Sequence, residues 1–215
     1  MINRVRRAAN RDGIGMGSVR LLTRSVTRVL AGFNAKLHGI NGYLPLGSQV
    51  SGLRGMSIGR DFQVHGPAWI EAIHDYGEDT FTPKISLGNG FRASDRLHIS
   101  AIGNISIGDN CLLGSSVFIG DHAHGSYGKN PVSDPRSAPA SRPLGNQGDV
   151  RIGSNCWIGD NVTIVGPVII GDGVVVAANS VVTRDVQAMR MVAGIPARVV
   201  KSFHESTRTW VPAKN

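Results

Sequence analysis

Two imidazoles stand close together in the run Asp121-His122-Ala123-His124, directly after the apolar stretch from Val117 to Ile119. An imidazole with an unperturbed pKa of about 6.5 suits two chemistries at neutral pH: taking a proton from a hydroxyl, and ligating a metal. Asp121 suits a supporting role, either holding a histidine in one tautomer or serving the turn. With His98 the chain offers three histidines, a number that could ligate zinc. The two cysteines, Cys111 and Cys156, lie inside apolar periodic blocks and read as small buried hydrophobes in a reducing compartment, not as a disulfide or a zinc site.

What positions the histidines is a repeat. Ile152, Ile158, Ile164, Ile170, Val176 and Val182 follow one another at intervals of six, and Val150, Cys156, Val162, Val168 and Val174 form a second row with the same interval. Neither strict alternation nor helical spacing fits. One short strand plus one corner per hexad does fit, and three hexads close a triangular coil of about 18 residues. The expected architecture is all-β, a parallel β-helix. The same register covers Ile107, Leu113 and Ile119, then Leu87, Ala93 and Ile99 after a two-residue slip, and more noisily Ile58, Val64 and Ile70. Coils are expected over roughly 50–120 and 149–183. Residues 71–84 carry no hexad and read as a loop. Residues 121–149 are long and rich in Pro, Gly and Ser; such a loop is commonly functional, reaching a neighbour or covering a cleft.

The chain has 215 residues, with 28 Gly and 10 Pro, and a net charge of +8. Residues 1–40 hold eight cations against Asp12, so +7 of that charge belongs to an N-terminal arm and the remainder is close to neutral. From Ser18 to Leu37 the residues Val19, Leu22, Val26, Val29, Leu30, Phe33 and Leu37 share one helical face, with Arg20, Arg24 and Arg28 on the other. That face is expected to pack on the main domain or a sister subunit, or to lie on anionic lipid through residues 18–38. No aromatic platform accompanies the charge, so nucleic acid is not expected. The first apolar run comes late and is broken by arginines, and no stretch reaches the roughly 20 apolar residues of a span. The expectation is a cytoplasmic protein, with peripheral contact at the inner face of the plasma membrane. The chain divides into an arm (1–45), a β-helix (46–200) and a short tail (201–215).

The runs IGDNCLLGSSVFIGDHAH, VRIGSNCWIGDNVTIVGPVIIGDGVVVAANSVVTRDV and VAGIPARVV resemble the left-handed β-helix hexapeptide acyltransferases, most closely the acetyl-CoA-dependent O-acetyltransferases of sugars and bacterial surface polysaccharides. The resemblance covers about residues 85–203. It implies a left-handed coil, a homotrimer, and active sites in the clefts between subunits with acetyl-CoA along each cleft and no metal. It implies that a histidine after the strand is the general base: His124 stands five residues beyond Ile119, where relatives place theirs, and His122 three. The base takes the proton of a sugar hydroxyl as it attacks the thioester, so no acyl-enzyme is needed. The backbone amide of Asp160 would meet the oxyanion.

The resemblance also places Trp157 and Gly159 near the cofactor, and Ala178 beside pantetheine. Thr183 and Arg184 would stand at the phosphate end, with Arg198 and Lys201 toward the nucleotide. The alternative for Trp157 is packing under the 121–149 loop. Ser94 stands where several relatives carry Asn next to the acceptor, and Asp121 is a further candidate for acceptor contact. The long loop fits a large acceptor, a glycan or lipid-linked sugar of surface polysaccharide or lipopolysaccharide synthesis. The rival readings are an N-acyltransferase acting on an amino-sugar nucleotide or small acceptor, a β-helix resembling the zinc carbonic anhydrases with His98, His122 and His124 as ligands across a subunit interface, and a silent scaffold trimer.

Overall fold

In the computed structural model, which describes residues 14–128, 132–146 and 148–213, each hexad forms a strand of two to four residues and a corner. The strands stack into three parallel sheets, the walls of a triangular solenoid. The first wall runs through Gly42–Tyr43, Phe62–Val64, Arg92–Ala93, Leu112–Leu113, Trp157–Ile158 and Val175–Val176. The second runs through Gln49–Ser51, Trp69–Ala72, His98–Ala101, Phe118–Gly120, Thr163–Val165 and Val181–Val182. The third runs through Met56–Ile58, Lys84–Leu87, Asn104–Ile107, Val150–Ile152 and Val168–Ile170. Registers are unbroken from coil to coil, as in Ile99 paired with Ile119 and Ile119 with Ile164.

The rows of the hexad are the core. Ile152, Ile158, Ile164, Ile170, Val176 and Val182 are all buried, as are Val150, Cys156, Val162, Val168 and Val174. Each fully buried Ile or Val is worth roughly 1.5–3 kcal/mol of burial. The two-residue slip before Ile107 has a local cause: His98–Ala101 and Asn104–Ile107 are each one residue longer than Thr163–Val165 and Val168–Ile170, with two corner residues between the strands in both coils. At other corners Asn110, Asn155, Asn161 and Asn179 take φ of 56°, 58°, 55° and 59°, a left-handed backbone that Asn tolerates better than most residues. Their side chains can stack too: Asn161 Nδ2 donates to Asn179 Oδ1 at 3.2 Å.

Both interruptions leave the same edge, between the second and third walls. Residues 73–83 contain a hairpin, Asp75–Tyr76 against Asp79–Thr80. The 121–149 segment starts and ends as an antiparallel ribbon, His122–His124 against Leu144–Asn146. At the top, Arg190–Gly194 continues the first wall in parallel, and Ala197–His204 and Thr209–Pro212 add to it antiparallel. The strand Ala197–His204 therefore runs across the expected boundary at residue 200, so residues 201–212 extend the sheet.

At the other end a helix, Ile14–Leu37, is followed by Gly39 at φ 69°. It meets the solenoid through small residues: Ala31 and Ala35 are buried, and Asn34 Nδ2 donates to the carbonyls of Leu44 and Pro45, both at 3.1 Å. The large apolar residues point elsewhere. Val26, Val29, Leu30, Phe33 and Leu37 are exposed, Phe33 by 61% and Leu37 by 68%. The expectation that this face packs on the main domain is thus corrected: two alanines bring the helix backbone close, and the bulky stripe is left outward. The side chains of Val19, Arg20, Leu22 and Arg24 lie outside the described residues.

Truncating Ile164 to Ala at the centre of the second wall is expected to cost about 2–5 kcal/mol through lost burial and the cavity left behind, read as a lowered midpoint in urea unfolding. Ile164→Asp is expected to prevent folding.

Candidate functional site

The ribbon at the base of the long loop sets the two histidines on one face. Residues two apart on a strand point the same way, about 7 Å from each other, so His122 and His124 are neighbours and Ala123 faces away. The environments of the pair differ. His122 is nearly covered, with 12% of its side chain exposed, and its Nδ1 lies 3.1 Å from Asp121 Oδ1. His124 is exposed, with Nδ1 3.2 Å from the Tyr76 hydroxyl and the two rings edge to face at 5.5 Å.

Asp121 is corrected by its surroundings. Its side chain is fully buried. Oδ1 accepts the amide of Ile102 at 3.0 Å and Oδ2 that of Gly103 at 2.8 Å. With His122 on Oδ1 as well, the carboxylate offers no face to an acceptor. It stitches one coil to the next at the point where the loop departs, and it orients His122, not His124.

The loop organises itself around a buried arginine that the sequence reading missed. Arg142 donates to the carbonyls of Ser137 (2.6 Å from Nη2) and Pro135 (3.1 Å), and to the Tyr127 hydroxyl (2.9 Å). Tyr127 in turn donates to the carbonyl of His124 at 2.6 Å. The guanidinium replaces its water shell with backbone carbonyls and anchors the histidine's main chain. Tyr76 was missed as well: it stands just before Gly77, φ 60°, in the two-residue turn of its hairpin, and both of its partners come from far along the chain.

The remaining candidates fall into two groups. Thr183 and Arg184 are exposed and follow Val181–Val182 of the second wall, on the same edge as the histidines but two coils higher. Ser94, Gly159, Asp160 and Ala178 line the other edge of the second wall, where it meets the first. Gly159 and Ala178 nearly touch: a Cβ on Gly159 would lie 2.6 Å from the Ala178 nitrogen, so only glycine permits this stacking. Asp160 Oδ1 accepts the amide of Ser115 at 2.6 Å, and the Asp160 amide itself has no partner among the described residues. Trp157 stands outward on the first wall between Leu112 and Val175, 54% exposed, so it is not packed under the loop. Arg198 and Lys201 are exposed on the strand that extends this wall. Within one chain, then, the histidines and the Gly159–Asp160–Ala178 group are separated by the width of the second wall.

His98 does not join the other histidines. Its ring is stacked on Trp69 at 4.4 Å and set edge to face with Phe118 at 5.0 Å, in a ladder on the second wall. No group of three His, Cys, Asp or Glu side chains that could hold a metal occurs among the described residues. Cys111 and Cys156 point into the core, with Sγ 3.1 and 3.2 Å from the carbonyls of Gly153 and Gly171. The hydrogen bond with Cys111, followed by burial, pushes the Cys156 thiol well above its ordinary range.

Two family models match the repeat. The bacterial transferase hexapeptide (six repeats) covers residues 149–184, and the hexapeptide repeat of succinyl-transferase covers 104–120. WbbJ of Escherichia coli K12, provisionally named a lipopolysaccharide biosynthesis O-acetyl transferase, is 39% identical over 60% of this chain, which spans 66% of WbbJ, just under two thirds. A maltose O-acetyltransferase of Clostridium difficile is 30% identical, with a TM-score of 0.51, over 71% of this chain and 72% of that one. The hexapeptide-repeat acetyltransferase VCA0836 of Vibrio cholerae is 26% identical, with a TM-score of 0.54, over 84% and 93%. That protein has also been solved with acetyl coenzyme A, where the TM-score is 0.50 at 27% identity.

Asp121→Ala leaves two buried amides without an acceptor, and is expected to cost about 2–4 kcal/mol in urea unfolding. Both cysteines are expected to resist alkylation in the native protein and to react only on unfolding.

Proposed function

Because this chain belongs to the bacterial hexapeptide-repeat transferase family, we propose that it is an O-acetyltransferase that moves acetyl from acetyl-CoA to a hydroxyl of a surface-polysaccharide or lipopolysaccharide sugar. The observation that carries this reading is the division of the candidate residues between the two edges of the second wall. An edge bearing imidazoles and an edge bearing a free amide form one site only if two copies meet head to tail. A head-to-tail contact that closes on itself makes a ring, and the reading is a left-handed homotrimer with three such clefts. The long loop leaves the histidine edge, where it can reach the neighbour.

The residues fit acetyl-CoA on their own chemistry. At the Gly159–Ala178 contact the corner lacks a side chain that would block a thin chain from lying along it. Arg184, Arg198 and Lys201 are exposed cations suited to phosphates. When bound, acetyl-CoA supplies an activated carbonyl. His124 takes the acceptor hydroxyl's proton as its oxygen attacks that carbonyl, and afterwards delivers the proton to the departing thiolate. The amide of Asp160 donates to the carbonyl oxygen as negative charge builds on it. Trp157 and Ser94 flank this group and are read as contacts of pantetheine and acceptor. Asp121 and His122 form a buried support for the ribbon.

The outward stripe of Val26, Val29, Leu30, Phe33 and Leu37, flanked by Arg28, supports an enzyme that works against an anionic membrane where a lipid-linked acceptor resides. No described helix is long and apolar enough to cross a membrane.

His124→Ala is expected to lower kcat by about 10²–10⁴-fold while leaving CoA affinity unchanged in calorimetry. Full activity would discard His124 as base, and loss confined to His122→Ala would move the role there. A monomer on a sizing column would sink the shared site. Co-sedimentation with vesicles containing anionic lipid, lost in Phe33→Glu, tests the helix; a trimer that dissociates in the same variant would assign the stripe to a neighbouring copy. A panel of sugar hydroxyls and amines read by mass separates O- from N-transfer.

A further inference from the structure

Tyr76 reaches the histidine ribbon from another part of the chain. It sits on the hairpin of residues 73–83, which leaves the same edge as the long loop but two coils lower. Its hydroxyl donates to the carbonyl of Ala140, within the long loop, at 2.8 Å. The same oxygen lies 3.2 Å from His124 Nδ1.

A phenol has one hydrogen to donate. A backbone carbonyl can only accept, so that hydrogen belongs to Ala140. The phenol oxygen then faces Nδ1 with a lone pair, and a bond between them forms only if Nδ1 carries the ring's proton. A neutral imidazole protonated at Nδ1 has its free lone pair on Nε2. The ring cannot swing away freely, because Tyr76 packs edge to face against it and Tyr127 holds the His124 carbonyl.

We infer that Tyr76 is a positioning residue that fixes the tautomer and the aim of His124, so that Nε2 stands ready to receive the acceptor's proton. The inference rests on the reading of His124 as the general base. It explains how His124 is oriented without a carboxylate: the nearby Asp121 is already committed to two amides and to His122. The same hydroxyl ties the hairpin to the long loop, so the base is gripped between two excursions from the solenoid. As His124 gains a proton, Nδ1–H remains the donor to the phenol oxygen, and the contact strengthens with the charge.

The test uses full-length protein labelled with ¹⁵N at histidine. In the wild type the His124 signals are expected to show the proton on Nδ1 and the pyridine-like nitrogen at Nε2. Tyr76→Phe keeps the ring contact and removes the hydroxyl. It is expected to shift the population toward the Nε2–H tautomer and to lower kcat about 10–100-fold, the loss of one hydrogen bond to a group that becomes charged. KM for acetyl-CoA and the melting temperature are expected to stay unchanged. A wild-type His124 protonated at Nε2 would overturn the inference. So would a Tyr76→Phe variant with the wild-type nitrogen pattern and wild-type kcat. The spectra report on the hydrogen bond whatever the base is, whereas full activity in His124→Ala would remove the base assignment and leave the tautomer result standing.

Discussion

The structure depends on the short separation, about 4.8 Å, at which each coil hydrogen-bonds to the next. That distance favours flat inward rows, mostly of Ile and Val, and corners that include glycine where two backbones come closest. Where it is tightest the chemistry of the residue is dictated. Gly42, Gly52 and Gly159 each stand where a Cβ would fall 1.9–2.6 Å from backbone atoms of the neighbouring coil. A carboxylate inside such a stack has to satisfy every lone pair locally, as Asp121 does with two amides and an imidazole.

A scaffold this regular has little freedom for chemistry on its walls, so irregular structure is exported. The hairpin of residues 73–83 and the long loop leave by one edge, and they meet there through the ring and the hydroxyl of Tyr76. The long loop is held by Arg142 on carbonyls and on Tyr127, an arrangement that places charge in a partly buried position with backbone oxygens as its hydrogen-bond acceptors. The result is a histidine on a rigid base, next to a second histidine whose partner is different. Two imidazoles two residues apart thereby acquire unlike environments.

How much of this was legible beforehand follows from the range of the interactions. The hexad rows, both cysteines and the departure points of the two loops were readable, because period and composition are local properties of the chain. The slip before Ile107 was visible as a number but needed the longer strands on either side of Ile102 and Gly103 to explain it. Tyr76, Tyr127 and Arg142 gave no signal, since their roles exist only once segments far apart in sequence are brought together. Asp121 bonds a histidine and two turn amides, both roles that its type and place suggested; that it offers no face to an acceptor follows only from the stacking of coils, which buries it. The helix was recognised from its period, but periodicity does not say which face turns inward. Ala31 and Ala35, small enough to let two backbones approach, won over the larger apolar stripe.

A parallel stack has no intrinsic reason to end, because its last coil presents the same unpaired amides and carbonyls as any coil within it. Here the first wall is finished by strands that reverse direction, Ala197–His204 and Thr209–Pro212, and the outermost of these carries Pro212, which lacks an amide to offer. Reversal changes the spacing of hydrogen bonds that a further parallel strand would need to match. On this wall, a surface that would otherwise template a further parallel strand is closed to it.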